Sequence, residues 1–359
     1  MRVSVVVRSK DEAPRLRLCL AALARQTVLP EVIVVNDGSS DATSAVLDEA
    51  ADSLPLTIVE HAVPRGRSAA SNAGARRASG DVLLFLDGDT LAAPEHVRRH
   101  RDAHATGSPV VGRGENFHLR GTRFLLDPES GSPFPGEEAR VACLAEVELE
   151  RMRVTHRQVI EDFASIERRA QPGIYPGAGP RRLYELEMDA LSNHPDCSVL
   201  WAASSGSNLS VATEDFLRAG GFHEGLENNE HRELALRLCA EGARMVAVDG
   251  ARTYHLTHRI GWRDPLSEAE WERVFYDAHP IAAVKLLAVF WAGLAAPSPI
   301  PAEARIDSLP HLEAAARGDN GIDYDAVRRM IPGLPVLDDR NPSESGRDIA
   351  QRSPAAPFA

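Results

Sequence analysis

Apolar and polar positions alternate in blocks along the first hundred residues. Short apolar runs recur at Val3–Val7, Glu31–Val35, Leu56–Glu60 and Val82–Leu86, each bounded by polar or glycine-containing turns. Runs of that length read as buried strands. Between them the period changes to that of a helix. Leu16, Leu20 and Leu23 share one face of Pro14–Arg25, and Ser40–Ala51 begins beside the candidate N-caps Ser39, Ser40 and Asp41. Arg67–Ala78 stops just before Gly80, and Pro94–His104 opens on proline. Strand and helix in alternation predict a mostly parallel α/β sheet with helices on both faces. Right-handed crossovers then bring the strand C-termini to one edge, where open α/β sheets bind ligands. The residues expected at that edge are Arg8-Ser9, Asn36-Asp37-Gly38, His61 and Asp87-Gly88-Asp89.

The pattern loosens over residues 113–200. Gly/Pro-rich segments at Ser130–Gly136 and Gln171–Pro180 flank a long helical pattern from Glu137 to Arg169, charged on one face. That pattern suits a packing helix, or a lid over an acceptor site. Regularity resumes with a strand in Ser204–Val211, helices at Thr213–Ala219 and Glu230–Glu241, and a strand at Met245–Val248. The chain therefore divides into an α/β half (1–112), a helical insertion (113–200) and a second half of the same domain (201–260). A helical C-terminal extension (261–340), with a Pro-rich link at Ala296–Pro301, and a disordered tail (341–359) follow.

Composition narrows the function classes. The chain has 359 residues, 43% hydrophobic and 26% charged, as expected of a soluble globular protein. A net charge of −12 argues against a nucleic-acid partner. The four cysteines form no Cys-x-x-Cys pair and read as reduced thiols. Val3–Val7 is too short for a signal peptide. The fourteen residues Ile281–Leu294, interrupted by Lys285, fall short of a membrane span and predict a buried or interfacial helix. A cytoplasmic location is the expectation.

The candidate chemistry sits at the strand ends. Asp87 and Asp89, with Gly88 between them, close the fourth strand. One carboxylate there can hold a divalent cation and the other a ribose hydroxyl, since hard cations favour a few carboxylates plus phosphate oxygens. Asp37, after the second strand, can accept from a pyrimidine imide or ribose hydroxyls, or can form an Asx-turn. Gly66–Gly74 opens a helix with small residues, which allows backbone to approach an anionic ligand.

These segments together resemble the family-2 glycosyltransferases of the GT-A fold. The resemblance runs from Val3 to about His258. Ser4-Val5-Val6-Val7-Arg8-Ser9-Lys10-Asp11-Glu12 matches the opening strand, and Val34 to Thr43 the nucleotide-binding turn. Gly66–Gly74 and Ala78–Asp81 lead into Asp87-Gly88-Asp89. Gly206–Ser210 and Gly220–Gly225 match the acceptor-side signature, and Glu230–Leu238 matches the helix that carries the base.

The resemblance implies a GT-A type, Rossmann-like fold and metal-dependent, inverting transfer of one sugar. The donor would be a nucleoside-diphosphate sugar (a UDP-sugar slightly favoured), the cofactor Mn²⁺ or Mg²⁺, and the acceptor is left open. It implies that Ser9, Asp37, Arg67, Asp87 and Gly88 meet the donor, and that Asp89 and His255 hold the metal. Several positions depart from the family pattern. His231 stands where the family places an aspartate base, so the base is His231 or the neighbouring Glu230, with Glu227 a weaker candidate. Arg8, Lys10 and Asp11 replace the usual Pro, Tyr and Asn. Ser71 replaces a common arginine, and Arg67 could reach the diphosphate instead. The rivals are a non-catalytic nucleotide-sugar-binding protein and a nucleotidyltransferase. No glycine-rich loop follows the first strand, which counts against the latter.

Overall fold

The computed structural model describes residues 1–52, 54–173, 182–258 and 265–337. The expected tail at 341–359 and most of Gln171–Pro180 lie outside the described residues. The strands, in chain order, are β1 (Val3–Ser9), β2 (Glu31–Asp37), β3 (Leu56–His61), β4 (Val82–Asp87), β5 (Thr90–Ala92) and β6 (Val110–His118). Next come β7 (Leu125–Asp127), β8 (Ser132–Pro133), β9 (Gln171–Pro172), β10 (Leu209–Ala212) and β11 (Arg244–His255). Nine form one sheet, in the order β3-β2-β1-β4-β10-β6-β11-β5 with β9 beside β6, while β7 and β8 make a separate ribbon.

β1 to β4 pair in parallel, as the alternation predicts, and β6 pairs in parallel with β11. β10 runs antiparallel to both β4 and β6, so the sheet is mixed at its centre. Alternation along β1 sends Val5 and Val7 to one face, against Leu16, Leu20 and Leu23 of α1 (Ala13–Ala24) and Leu47 of α2 (Thr43–Ala51). Val6, with Leu83 and Phe85 of β4, faces the other way, toward Ala75 of α3 (Arg67–Ala75), Phe216 and Phe222. The core therefore lies on both sides of the sheet, and the near-continuous apolar runs follow from that.

α4 (His96–His104) closes the first hundred residues. It places His96, His100 and His104 in one row, four residues apart and buried. His100 bonds Ser210 through Nδ1 and Asn208 through Nε2, both at 2.8 Å, and His104 Nε2 meets the same Ser210 hydroxyl at 2.9 Å. Asn208 and Ser210 of the Gly206–Ser210 motif thus lock α4 to the sheet, and only the motif's first two residues reach the cleft described below.

Two expectations need correction. The long pattern Glu137–Arg169 is four short helices: Glu138–Ala142, Glu146–Met152, His156–Glu161 and Phe163–Glu167. Local caps break it. Thr155 and Gln158 form a reciprocal capping box, the Glu148 carboxylate accepts from the Ala145 N–H, and Asp162 accepts from Ser165 N. Second, the strand expected at Met245–Val248 continues to His255. From Ala247 to Arg252 it advances five residues while β6 advances two, from Arg113 to Glu115. The resulting bulge contains Gly250 at φ 76°. His255 consequently ends a strand rather than lying on a loop. The Ile281–Leu294 stretch folds as Ala282–Lys285 and Leu287–Gly293, the latter wholly buried. No helix among the described residues is long and apolar enough to cross a membrane.

Candidate active site

The turn after β4 is built by its neighbours. Parallel register sets Arg8 of β1 opposite Asp87, and Arg8 Nε donates to Asp87 Oδ1 at 2.7 Å. Gly88 fits because a Cβ there would lie 2.5 Å from Glu12 Oε1 and 3.0 Å from Ser9 Cβ. Glu12 is wedged beneath the turn. Burial, then the charges of Asp89 and Asp87, push its carboxyl well above the ordinary value.

Asp89 closes the turn and faces two imidazoles. Its Oδ2 lies 3.1 Å from His255 Nε2 and 2.7 Å from His258 Nε2, and ligand atoms of all three fall within 4.8 Å of one another. The register of β11 on β5 pairs His255 with Thr90, and Leu256 N donates to Asp89 O at 2.9 Å, so the backbone fixes this meeting. Burial would raise the Asp89 carboxyl, but His255 and His258 outweigh it and hold it well below the usual range. His255 is raised in turn, Asp89 overcoming the effect of burial. One carboxylate and two imidazoles are a donor set that suits a first-row divalent cation. His258 was missed in the sequence, although it stands three residues after His255 in the same segment.

The turn after β2 is tied to the loop that follows β3. Asp37 is 6% exposed and both of its oxygens are engaged. Oδ1 meets His61 Nδ1 at 2.6 Å and accepts from Arg65 N at 2.9 Å, while Oδ2 accepts from Gly66 N at 3.0 Å. Asp37 therefore shapes the loop that delivers Gly66, at φ 91°, and Arg67, the first residue of α3. A Cβ at Gly66 would collide with the Glu227 carboxylate at 2.2 Å, which places Glu227 behind this loop.

The opposite wall comes from the helix Glu230–Ala240. Asn229 precedes it in the left-handed region at φ 66°, buried, and turns Glu230 and His231 inward. Glu230 Oε1 accepts from Arg8 Nη1 at 3.0 Å. Burial would raise this carboxyl, but His231, Arg8 and Arg67 hold it well below the usual range. Burial lowers His231, and Arg232 adds to this against the pull of Glu230. Its Nε2 lies 2.8 Å from Arg232 Nη1. Arginine only donates, so Nε2 is the acceptor and the proton sits on Nδ1. Behind this, Glu187 of the helix Leu183–Asn193 bonds Arg232 Nη2 at 2.8 Å and Arg113 Nη2 at 2.7 Å.

These walls enclose a cleft of about 210 Å³. Six of the expected site residues line it: Arg67, Asp87, Asp89, Glu230, His231 and His255. Ser9, Asp37 and Gly88 are not among its lining residues. Arg8, Arg113, Glu187 and His258 also line it and were not assigned to the site from sequence.

Residues 4–162 match the family model described as "Glycosyl transferase family 2". The chain matches this family over that span, and its fold is GT-A. It is 30% identical over 252 residues to validoxylamine A glucosyltransferase of Streptomyces hygroscopicus subsp. limoneus, covering 68% of this chain and 49% of that protein. The chain thus spans about half the length of the curated relatives it matches first. Among solved structures it resembles the mannosyltransferase PcManGT from Pyrobaculum calidifontis, in complex with GDP-Man and Mn²⁺ (TM-score 0.50, 16% identity, 92% of this chain and 72% of that one). It is similar to TarS 1–349 of S. aureus in complex with UDP-GlcNAc (TM-score 0.50, 15% identity, 92% and 82%).

Proposed function

We propose that the chain transfers one sugar from a nucleoside-diphosphate donor, a UDP-sugar favoured, to an acceptor nucleophile with inversion and with a divalent cation. The observation that carries this reading is the cleft itself. The Asp87-Gly88-Asp89 turn, with His255 and His258, stands at one side of it and Glu230 at the other. The nucleotide sugars bound by PcManGT and TarS support the donor class.

Asp89, His255 and His258 would hold the cation, and their nitrogen-containing donor set favours Mn²⁺ over Mg²⁺. When bound, the cation supplies Lewis-acid stabilisation of the departing diphosphate. Asp87 would meet the ribose or the same cation, and Arg67 the diphosphate. Glu230 takes the proton of the acceptor nucleophile as that atom attacks the anomeric carbon. The bond from that carbon to the diphosphate oxygen breaks, and the electron pair leaves with the diphosphate. His231, its lone pair committed to Arg232, turns Nδ1 toward Glu230 at 3.7 Å, beyond hydrogen-bond distance.

A thermal-shift screen of nucleotide sugars with and without Mn²⁺, followed by product detection, tests this reading. A cation-dependent shift with release of nucleoside diphosphate supports it. A shift without any transfer or hydrolysis favours a non-catalytic binder, and no shift with any nucleotide overturns the donor class.

A further inference from the structure

Arg8 stands where the family pattern has proline, and it spans the cleft. Its side chain is only 13% exposed, yet it carries a full charge. Nε holds Asp87 on the donor side at 2.7 Å and Nη1 holds Glu230 on the acceptor side at 3.0 Å. Nη2 lies beneath the Gly206 turn, 3.6 Å from where a Cβ of that residue would sit. These are the two sides of the cleft, and the Arg8 side chain bonds both.

A guanidinium between two carboxylates is an ion pair with a choice of partners. Phosphate groups compete well for it, because they match its fork geometry and carry more charge. The low exposure of Arg8 strengthens these charge interactions. Glu230 bonded to Arg8 is also a poor proton acceptor, since the charge that binds it stabilises the ionised form.

We propose that Arg8 is a positioning residue that relays nucleotide occupancy to Glu230. Without nucleotide it holds Glu230 in an ion pair. The diphosphate of an arriving nucleotide draws the guanidinium away and frees Glu230 to face the acceptor. This rests on the glycosyl-transfer reading above.

The relay is tested by a double-mutant cycle on nucleotide binding, which does not depend on turnover. UDP and GDP affinities with Mn²⁺ are measured by calorimetry for the unaltered protein, Arg8→Met, Glu230→Gln and the double variant. Glu230→Gln releases Arg8 and tightens binding by roughly 3- to 10-fold, while Arg8→Met weakens it by about tenfold or more. In the Arg8→Met background, Glu230→Gln changes affinity less than about twofold. Arg8→Lys, which keeps the charge but not the fork, recovers part of the lost affinity and serves if Arg8→Met folds poorly. Equal effects of Glu230→Gln with and without Arg8 overturn the relay, because the carboxylate then acts on the nucleotide directly. An unchanged affinity in Glu230→Gln overturns it too. If the unaltered protein binds and turns over donor but the cycle is additive, only the relay is wrong. If it binds neither nucleotide, the glycosyl-transfer reading falls with it.

Discussion

The Nε2 atom of His231 accepts a hydrogen bond from Arg232 at 2.8 Å, so the lone pair that a histidine base needs is already committed. Family comparison points to His231 as the base, but this bond points to its neighbour. Glu230→Gln is expected to lower turnover by about 10²- to 10⁴-fold. His231→Asn, which keeps a polar group near Arg232, should cost less than about tenfold. Steady-state kinetics of both variants decide the assignment, and a larger loss in His231→Asn would reverse it.

Removing a member of the Asp89–His255–His258 group should separate cation binding from folding. Asp89→Ala is expected to abolish the Mn²⁺-dependent part of nucleotide binding. His258→Ala should weaken Mn²⁺ by at least about tenfold. Calorimetric titration with Mn²⁺ reads both directly. Unaltered cation dependence in Asp89→Ala would remove this site from the mechanism.

Asp37 is expected to behave as a structural residue first. Its carboxylate accepts from two backbone N–H groups of the loop after β3 and meets His61 at the end of that strand. Asp37→Ala should cost roughly 1.5–3 kcal/mol of stability without any ligand, as a bond to a charged group does. Nucleotide affinity should fall as well, because Arg67 follows that loop. Urea denaturation of the ligand-free protein is the check. Weakened nucleotide binding with unchanged stability would restore Asp37 to direct base recognition.

The buried histidines of α4 predict acid lability. Burial lowers His96 to about 3 and His104 to about 4, and burial followed by the neighbouring His96 charge lowers His100 well below its ordinary value. The unfolded chain then binds more protons than the folded one once pH drops below the unfolded value of ~6.5. Stability is therefore present above that pH and is lost as pH falls. Each histidine contributes a slope of up to about 1.4 kcal/mol per pH unit. His255, whose value is raised, acts in the opposite sense but above this window. Urea midpoints from pH 7 to pH 5 should fall steadily, and His100→Gln should flatten the slope. A flat profile would show that these rings carry protons in the folded state.

The first four strands and helices were legible because each is a local event, with a buried apolar run of period one and an amphipathic run closed by proline or glycine. Asp87-Gly88-Asp89 was legible for the same reason. The Glu137–Arg169 breaks were also written locally, in Thr155-x-x-Gln158 and Asp162-x-x-Ser165, but charge periodicity hid them. What the sequence could not give were meetings of distant residues. Arg8 with Glu230 spans 222 positions, and His258 with Asp89 spans 169. The commitment of His231 to Arg232 is between neighbours, yet it depends on how Asn229 turns the helix start, and no spacing encodes that. The family signature Gly206–Ser210 was read as facing the acceptor, whereas two of its side chains fasten α4.

The bulge in β11 makes the cation site a matter of counting. Side chains alternate along a strand, so one residue more or less between Ala247 and Arg252 would bring Tyr254 or Leu256 to the place of His255. Of the bulge residues only exposed Asp249 is free to vary, because Gly250 sits at φ 76° and Val248 and Ala251 are buried, and the number of residues is fixed as well. Among descendants of this chain, insertions or deletions should be purged from that segment.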